Sequence, residues 1–152
     1  MHEGGIATPL IVHWPNGIVD PGRMEETPGH LIDIMATAVD VADAIYPKNK
    51  TPLEGLSLRP LFQKKTLPNR KLYWEHEGNR AIRDGKWKLV AEFNKPWELY
   101  DISSDRSEQH DLSNEQASRA KNMANAWDDY AARARVIPWK NIRPMKKSKT
   151  KN

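Results

Sequence analysis

The first third of the chain carries two distinct apolar patterns. Residues 9–14 form a short apolar run that begins at Pro9 and ends before Pro15, which predicts a strand buried on both faces, as parallel strands are. In residues 31–46 apolar side chains recur every three or four positions, which is the period of a helix with one buried face. Pro47 cannot continue a helix, so we expect the helix to end before it.

The pattern changes after residue 70. Residues 47–70 are rich in Pro, Lys and Thr and predict an irregular connection, which makes them the best candidate for a boundary within the chain. Beyond it the apolar residues tend to alternate, which is the period of a strand with one buried face. Asp84-Gly85 favours a tight hairpin turn, because both residues tolerate positive φ. We therefore predict a small antiparallel sheet with strands near residues 71–75, 79–83, 86–92 and 97–101.

A long helix is predicted to follow the sheet. Residues 113–116 read Ser-Asn-Glu-Gln, a capping box in which the serine hydroxyl and the glutamine amide satisfy orphan N–H groups at a helix start. Downstream, small and apolar residues fall on one stripe, with Met123 and Tyr130 beside it. A narrow stripe of this kind lets the helix lie close on the sheet; its members are Ala117, Ala120, Ala124, Trp127, Ala131 and Ala134.

Charge and composition narrow the classes of function. The chain has 24 Lys and Arg against 20 Asp and Glu, and the surplus lies in residues 140–152, which hold six basic residues and no acid. We expect this tail to be disordered and solvated, and we predict no nucleic-acid partner. The 152 residues contain no cysteine, which excludes disulfides, thiolate metal sites and a cysteine nucleophile. No apolar run approaches the ~18 residues of a membrane span, and no signal peptide follows Met1.

The densest group of polar side chains spans residues 74–80, which read WEHEGNR. His76, Asn79 and Arg80 lie where a strand is predicted to turn, and a guanidinium with directed donors beside it can hold an anion. The alternative is a polar hairpin whose charges pair across the strands, each pair contributing about 0.2–1 kcal/mol. Composition alone favours the hairpin, whereas the position at a strand end favours a binding site.

Glu3-Gly4-Gly5 offers a similar choice. Consecutive glycines let a backbone pass close to a ligand, and the alternative is a plain turn. The five histidines include no His-x-x-x-His spacing, so we predict no complete metal site within the chain. The sequence also lacks a G-x-S-x-G nucleophile elbow and a G-x-x-x-x-G-K phosphate loop, so no catalytic set is complete.

Five segments, in this order, resemble the C-terminal third of sulfatases of the arylsulfatase type. EGGIATP resembles the family's E-G-G-x-x-x-P signature and leads into an apolar stretch that ends in W-P. GHLIDIMATAVDVADA resembles its helix segment, with His30, Asp33 and Thr37 matching and Ala36 replacing the usual proline. LEGLSLRPLF resembles its G-x-S-L-x-P-L element. RAIRDGKWK and LYDISSDRSEQHDL resemble its R-A-x-R-x-G-x-W-K strand pair and its L-Y-D-L-x-x-D-P-x-E-x-x-N-L strand and loop.

The resemblance implies an α/β fold of the alkaline phosphatase-like sulfatase type, of which this chain is a C-terminal fragment. Residues 1–62 would form the end of the large α/β domain. Residues 63–139 would form a C-terminal subdomain, a four-stranded antiparallel sheet with a long helix, and residues 140–152 the basic tail.

Substrate-binding residues follow from the same resemblance. It implies that His2 and Glu3 lie near the substrate sulfate, beside a lysine that the family carries a few residues upstream. It also implies that His76, Asn79 and Arg80 face the leaving group of a sulfate ester, either aryl or carbohydrate.

The reaction centre of the family is expected elsewhere. In such sulfatases the nucleophile is a formylglycine made from a C/S-x-P-x-R motif, which this sequence lacks, and the acidic calcium ligands also lie upstream. We therefore expect calcium in the intact family enzyme but none bound by this fragment, and no sulfatase activity from the fragment alone. Family members imply a periplasmic or secreted location. Two other readings stay open: a non-catalytic module that binds anionic glycans, and a truncated product without function.

Overall fold

The computed structural model describes residues 1–142 and divides the chain into two compact units. One unit contains Pro9–Asn69, and the other joins Met1–Thr8 to the part of the chain that begins at Arg70. The first eight residues therefore lie with the C-terminal sheet. Residues 140–142 of the predicted basic tail belong to a short helix, and its remaining residues, 143–152, lie outside the described part.

Five helices and four strands make up the described residues. The helices are α1 (Glu3–Ile6), α2 (Asp33–Val41), α3 (Arg59–Phe62), α4 (Ala117–Arg133) and α5 (Trp139–Ile142). The strands are β1 (Lys71–His76), β2 (Asn79–Asp84), β3 (Trp87–Ala91) and β4 (Glu98–Asp101). They form one antiparallel sheet in the order β1-β2-β3-β4, which confirms the predicted sheet to within a residue or two at each end.

Two tight turns connect the first three strands. In the β1–β2 turn both central residues, Glu77 and Gly78, have positive φ (53° and 83°), as a type I′ turn requires. The predicted Asp84-Gly85 turn is displaced by one residue, because Asp84 still pairs with Trp87 at the end of β2. Only Gly85, now the first central residue, has positive φ (59°), the pattern of a type II′ turn.

The sheet has an apolar core on each face. On the helix face, which carries Ile82, Leu89 and Leu99, α4 packs through Met123 and Trp127. The rings of Tyr73 and Tyr130 stack at 4.2 Å, and the Trp127 indole N–H donates to the backbone oxygen of Trp74 at 3.2 Å. The middle of the predicted stripe, Ala120, Ala124, Trp127 and Ala131, packs on the sheet, whereas Ala117 and Ala134 at its two ends are exposed. The opposite face, called here the N-terminal face, carries Ala81, Val90 and Tyr100 and packs against Met1.

The predicted capping box at the start of α4 is wrong. The Ser113 hydroxyl donates to the Asp111 carboxylate at 2.9 Å instead of capping the helix. Gln116 is the residue before the first turn, and its side chain makes no capping hydrogen bond. A charged acceptor two residues upstream competes successfully for the serine, because hydrogen bonds to a carboxylate are stronger than bonds to neutral groups.

In the unit of residues 9–69, the predicted strand over residues 9–14 does not form. Ile11 is 90% exposed and Leu10 is 57% exposed, and no residue of this stretch belongs to a strand. A parallel strand is stable only beside another strand that pairs with its N–H and C=O groups, and every described strand of the chain lies in the other unit. The predicted helix of residues 31–46 forms only over Asp33–Val41, ending before Asp43, which has a positive φ of 48°.

Polar side chains along one side of helix α2 form hydrogen bonds to residues 56–58, in the connection that follows the helix. The buried Asp33 accepts the backbone N–H of Leu56 at 2.9 Å, and the Thr37 hydroxyl accepts that of Leu58 at 2.9 Å. One turn further on, Asp40 accepts the hydroxyl of Ser57, and this bond is the main cause that lowers the pKa of Asp40. Two of the family-like segments therefore bind each other.

Gly55 lies at the closest approach between these two segments. A Cβ added there would collide with the carbonyl oxygen of Ile32 and lie 2.9 Å from Cα of Asp33. A side chain at this position has to push the connection away from the start of α2, which would strain the hydrogen bond between Asp33 and Leu56.

We expect Gly55→Ala to destabilise this unit by roughly 1–3 kcal/mol, the usual range for overpacking. Urea denaturation followed by circular dichroism measures the change. Gly29→Ala is the matched control, because a Cβ there meets no atom closer than 4.0 Å and its φ is not in the left-handed region. Equal stability of the two variants would contradict the close approach at Gly55.

Candidate functional site

The N-terminal segment lies across the N-terminal face of the sheet as a single helical turn. Helix α1 starts at Glu3, and its first backbone N–H donates to a carboxylate oxygen of Glu108 at 2.7 Å. The N–H of Gly5 bonds to the oxygen of His2 at 2.9 Å, and that of Ala7 to the oxygen of Glu3 at 2.8 Å. The predicted E-G-G turn is therefore a short helical turn that is tied to the loop after β4.

A buried lysine anchors this segment. Lys88, on β3, has 0% of its surface exposed, and its ammonium lies 3.0 Å from Glu3 Oε1 and 2.8 Å from Glu108 Oε1. Both carboxylates are buried as well. The cluster of Lys88, Glu3 and Glu108 is named here the lysine cluster.

The lysine cluster joins three segments that are far apart in the sequence. A buried charge is costly unless it is paired, and removing one partner of a buried pair costs roughly 3–5 kcal/mol. Lys88 therefore requires both the N-terminal segment and the loop after β4 to stay in place. Two carboxylates face one ammonium, so the cluster also attracts further positive charge or hydrogen-bond donors.

His2 supplies one of these donors. Its Nδ1 lies 3.1 Å from Glu108 Oε2, and its ring meets that of Tyr100 edge to face at 6.3 Å between centroids. A carboxylate can only accept a hydrogen bond, so Nδ1 carries the proton in this contact. Because 39% of the His2 side chain is exposed, the imidazole is reachable from solvent.

The loop that carries Glu108 is built by short carboxylate bonds. Asp105 accepts the backbone N–H groups of Gln109 and His110, both at 2.9 Å, which closes the loop around Glu108. Asp111 accepts the N–H of Leu99 at 2.9 Å and so fixes the far end of the loop to β4. Glu108 itself has a left-handed φ of 57°, a conformation that is strained for a residue with a side chain.

The hairpin of His76 and Asn79 projects from the end of the same sheet. His76 follows Trp74 by two positions, and Asn79 precedes Ala81 by two, so both belong to the N-terminal face by strand alternation. His76 is exposed. The Asn79 amide donates to the oxygen of His76 at 2.9 Å and accepts the N–H of Phe93 at 3.1 Å, so its side chain shapes the turn.

Arg80 lies on the other face. Its guanidinium lies 4.2 Å from the ring centre of Trp97 and 5.5 Å from that of Trp127, which makes two cation–π contacts on the helix face. Of the five residues predicted to bind substrate, His2, His76 and Asn79 therefore share one face, Arg80 lies across the sheet, and the carboxylate of Glu3 is directed to Lys88.

Sequence reasoning missed Lys88 and Glu108. Both were quoted within family-like segments, but neither was named as a site residue. No local signal marked Lys88, because alternation with Trp87 and Leu89 places it on the opposite face of the strand, which a sheet with one buried face exposes to solvent. Its partners could not be read, because they are 85 and 20 residues away along the chain.

The described residues offer neither a metal centre nor a membrane-spanning helix. Within residues 1–142 no group of three or more His, Asp or Glu side chains is arranged to hold a metal ion. In the same range no helix has the length and apolar character needed to cross a membrane.

Comparison with solved structures defines the class of protein. Ps i-CgsB superposes on 78% of this chain and 27% of its own, with a TM-score of 0.67 and 27% identity. Its complex with k-i-k-neocarrahexaose covers 65% of this chain, with a TM-score of 0.56. BT4656 in complex with its substrate D-glucosamine-2-N,6-O-disulfate matches 76% of this chain with a TM-score of 0.51, and at 20% identity this likeness concerns the fold alone. The fold is that of the C-terminal region of an alkaline phosphatase-like sulfatase.

The sequence places the chain within that class. The family model for N-sulphoglucosamine sulphohydrolase, C-terminal, matches residues 1–130, and the chain belongs to this family. An uncharacterized sulfatase of Schizosaccharomyces pombe is 24% identical over 152 residues, which cover 89% of this chain and 26% of the relative. The chain thus spans about a quarter of the length of the relatives that it matches. The resemblance stated from the five segments is confirmed.

We expect acid to destabilise the loop that holds Glu108. The hydrogen bonds that Asp105 accepts from the backbone N–H groups of His110 and Gln109 lower its pKa below the ordinary 3.8. Burial raises the pKa of Asp111, but the hydrogen bonds that it accepts from Leu99 and Ser113 together lower the pKa by more than burial raises it, so the net shift is also downward. Carboxylates with a depressed folded pKa contribute stability above 3.8 that is lost as the pH falls through and below that value.

The measurement is the urea midpoint at neutral pH and at a pH below 3.8. Asp105→Asn keeps an acceptor for the same N–H groups but removes the titration, so its midpoint should fall less between the two conditions than that of the unmodified chain. Asp128→Asn, on the exposed side of α4, should behave like the unmodified chain. Identical pH dependence in all three proteins would contradict the role of Asp105.

Proposed function

We propose that this chain forms a C-terminal wall of the substrate cleft in an arylsulfatase-like sulfuric ester hydrolase. The observation that carries the proposal is the family match over residues 1–130. Two solved structures of similar fold hold a carrageenan oligosaccharide and a sulfated glucosamine, which supports a sulfated carbohydrate as the substrate class. An aryl sulfate is the simpler substrate on which the same chemistry can be assayed.

The N-terminal face is the side of the sheet that we assign to the substrate. It carries His2, held by Glu108, and the hairpin that presents the exposed His76. Imidazole groups can donate hydrogen bonds to sulfate oxygens or to the oxygen of a leaving group. In this arrangement His2 contacts the sulfate and His76 contacts the leaving group.

The remaining predicted residues have supporting parts in this proposal. Asn79 fixes the turn that presents His76. Arg80 lies on Trp97 at the same end of the sheet, where its charge can still attract an anionic substrate over several ångströms. Glu3 acts through its bond to Lys88 and holds the segment that carries His2.

The bond-breaking groups belong to the part of the family fold that this chain does not span. By resemblance, a formylglycine supplies the nucleophile, and a calcium ion, when bound, neutralises charge on the sulfate oxygens. The residues described here bind and orient the ester; a nucleophile and most of the charge neutralisation come from elsewhere. We assign to this chain substrate orientation rather than catalysis.

His76→Ala tests the leaving-group contact in an active sulfatase that contains this region. We expect kcat/KM on the preferred sulfated substrate to fall roughly tenfold to a hundredfold, the effect of losing a hydrogen bond to a charged or developing negative group. His110→Ala is the matched control, because the side chain of His110 is exposed in the loop after β4, where its Nδ1 lies 3.7 Å from Asp105 Oδ2. An unchanged kcat/KM in the His76 variant would remove the proposed role.

The chain by itself should not turn over an ester. We expect the purified 152-residue polypeptide to release no product from a chromogenic aryl sulfate above a blank, because it has no C/S-x-P-x-R motif from which a formylglycine is made. Time-dependent product release that scales with the amount of chain would contradict this assignment of the chemistry.

A further inference from the structure

His2 is held by a carboxylate that is itself held by a buried lysine. Glu108 uses its two oxygens for different partners: Oε1 lies 2.8 Å from the ammonium of Lys88, while Oε2 receives the N–H of Glu3 at 2.7 Å and lies 3.1 Å from His2 Nδ1. The contact with Lys88 fixes the carboxylate of Glu108, and the contacts with Glu3 and His2 fix the N-terminal segment. His2 is the only member of this chain of contacts with substantial exposure.

We propose that Glu108, anchored by Lys88, is a positioning residue that keeps the neutral ring of His2 protonated at Nδ1 and so presents Nε2 to the ligand. The hydrogen bond at one ring nitrogen of a histidine determines which nitrogen carries the proton. A carboxylate can only accept, so the ring nitrogen that faces it has to carry the proton. Nε2 is then an acceptor, and it becomes a donor to an anionic oxygen once the ring takes up a second proton.

Three observations favour a positioning role over a purely structural one. First, Glu108 keeps a strained left-handed φ of 57°, where glycine or asparagine would be relaxed. Such a conformation persists where surrounding contacts over-determine it, and for Glu108 those contacts are made by Lys88, the Glu3 N–H and His2. Second, the apolar core on this face is formed by Ala81, Val90, Tyr100 and Ile102, none of which belongs to the lysine cluster.

Third, the charges of the lysine cluster come from three separate family-like segments. Glu3 stands in the E-G-G segment, Lys88 ends the R-A-x-R-x-G-x-W-K segment, and Glu108 holds the glutamate position of the last segment. These three residues contact one another beside His2, so together the three segments hold His2 in place. The inference rests on the proposed function, since it assumes that His2 meets the sulfate.

Glu108→Gln is the decisive variant, because glutamine has one acceptor oxygen and one donor NH₂ group. Lys88 is a donor only, so it must claim the oxygen, and the NH₂ group then faces the Glu3 N–H and His2 Nδ1. If the ring of His2 keeps its place beside residue 108, it relieves this clash by moving its proton to Nε2 and accepting at Nδ1. The Glu3 N–H has no such relief.

The experiment uses the full 152-residue chain labelled with ¹⁵N. At alkaline pH, where a histidine ring is neutral, long-range ¹H–¹⁵N correlations identify which ring nitrogen of His2 carries the proton. We expect Nδ1–H in the unmodified chain and Nε2–H in the Glu108→Gln variant. We also expect the hydrogen-exchange protection of the Glu3 amide to fall at least about tenfold in the variant, the effect of losing a bond to a charged acceptor.

Matched controls separate this effect from general loosening. Glu92→Gln makes the same chemical change at an exposed position just after β3 and should leave the His2 tautomer unchanged. Lys88→Met should release Glu108 and lower Glu3 protection, whereas Lys86→Met, which removes an exposed pair with Asp101, should not.

Some outcomes would overturn the inference. An Nε2–H tautomer in the unmodified chain would do so without any variant, as would an unaltered tautomer and Glu3 protection in Glu108→Gln. None of these readouts needs turnover, so they stay valid if His2→Ala proves to have unchanged kcat/KM in the active sulfatase; that second result would instead remove the proposed contact between His2 and the sulfate.

Discussion

A fully buried lysine with two carboxylate partners is the constraint on which the sheet unit depends. Lys88 cannot lie at 0% exposure without counter-ions, and the structure supplies them from the first helical turn and from the loop after β4. The cluster fixes the position of the N-terminal segment on the sheet.

The cluster also changes what the polar motifs mean. An E-G-G signature suggests a ligand-binding glutamate, yet the carboxylate of Glu3 is directed inward, and the group beside it, His2, is the one with an exposed ring. The two glycines are exposed, and a Cβ at Gly4 or Gly5 would meet no atom within 4 Å, so close packing does not explain them. In the other unit the same holds for Asp33 and Thr37, which bind the backbone of the following connection. Charged or polar motif residues are here more often structural partners than ligands.

The two faces of the sheet have different partners: α4 packs on the helix face, and the N-terminal segment packs on the N-terminal face. α4 covers one face through Trp127 and Met123, with Arg80 stacked over the aromatic rings at its edge. This leaves the opposite face for the N-terminal segment and for the hairpin of His76. A cleft wall requires such an arrangement: one side packed and rigid, the other side carrying polar groups on short, hydrogen-bonded turns. The chain spans about a quarter of its relatives, and the proposed task is correspondingly limited to binding and orientation.

The sequence by itself determined the sheet, the long helix and the family. Strand alternation and turn residues are local signals, and five ordered segments are specific, so the strands in residues 71–101 were predictable to within a residue or two, as was the existence of α4 but not its first residue. The strand over residues 9–14 failed because a parallel strand needs a neighbour, which no local pattern supplies. The tertiary structure alone decided that Glu3 faces Lys88, that Glu108 joins them, and that Arg80 lies across the sheet from His76. These facts depend on contacts between residues as many as 105 positions apart, and a pattern read along the chain contains no information on which distant charges share one buried space.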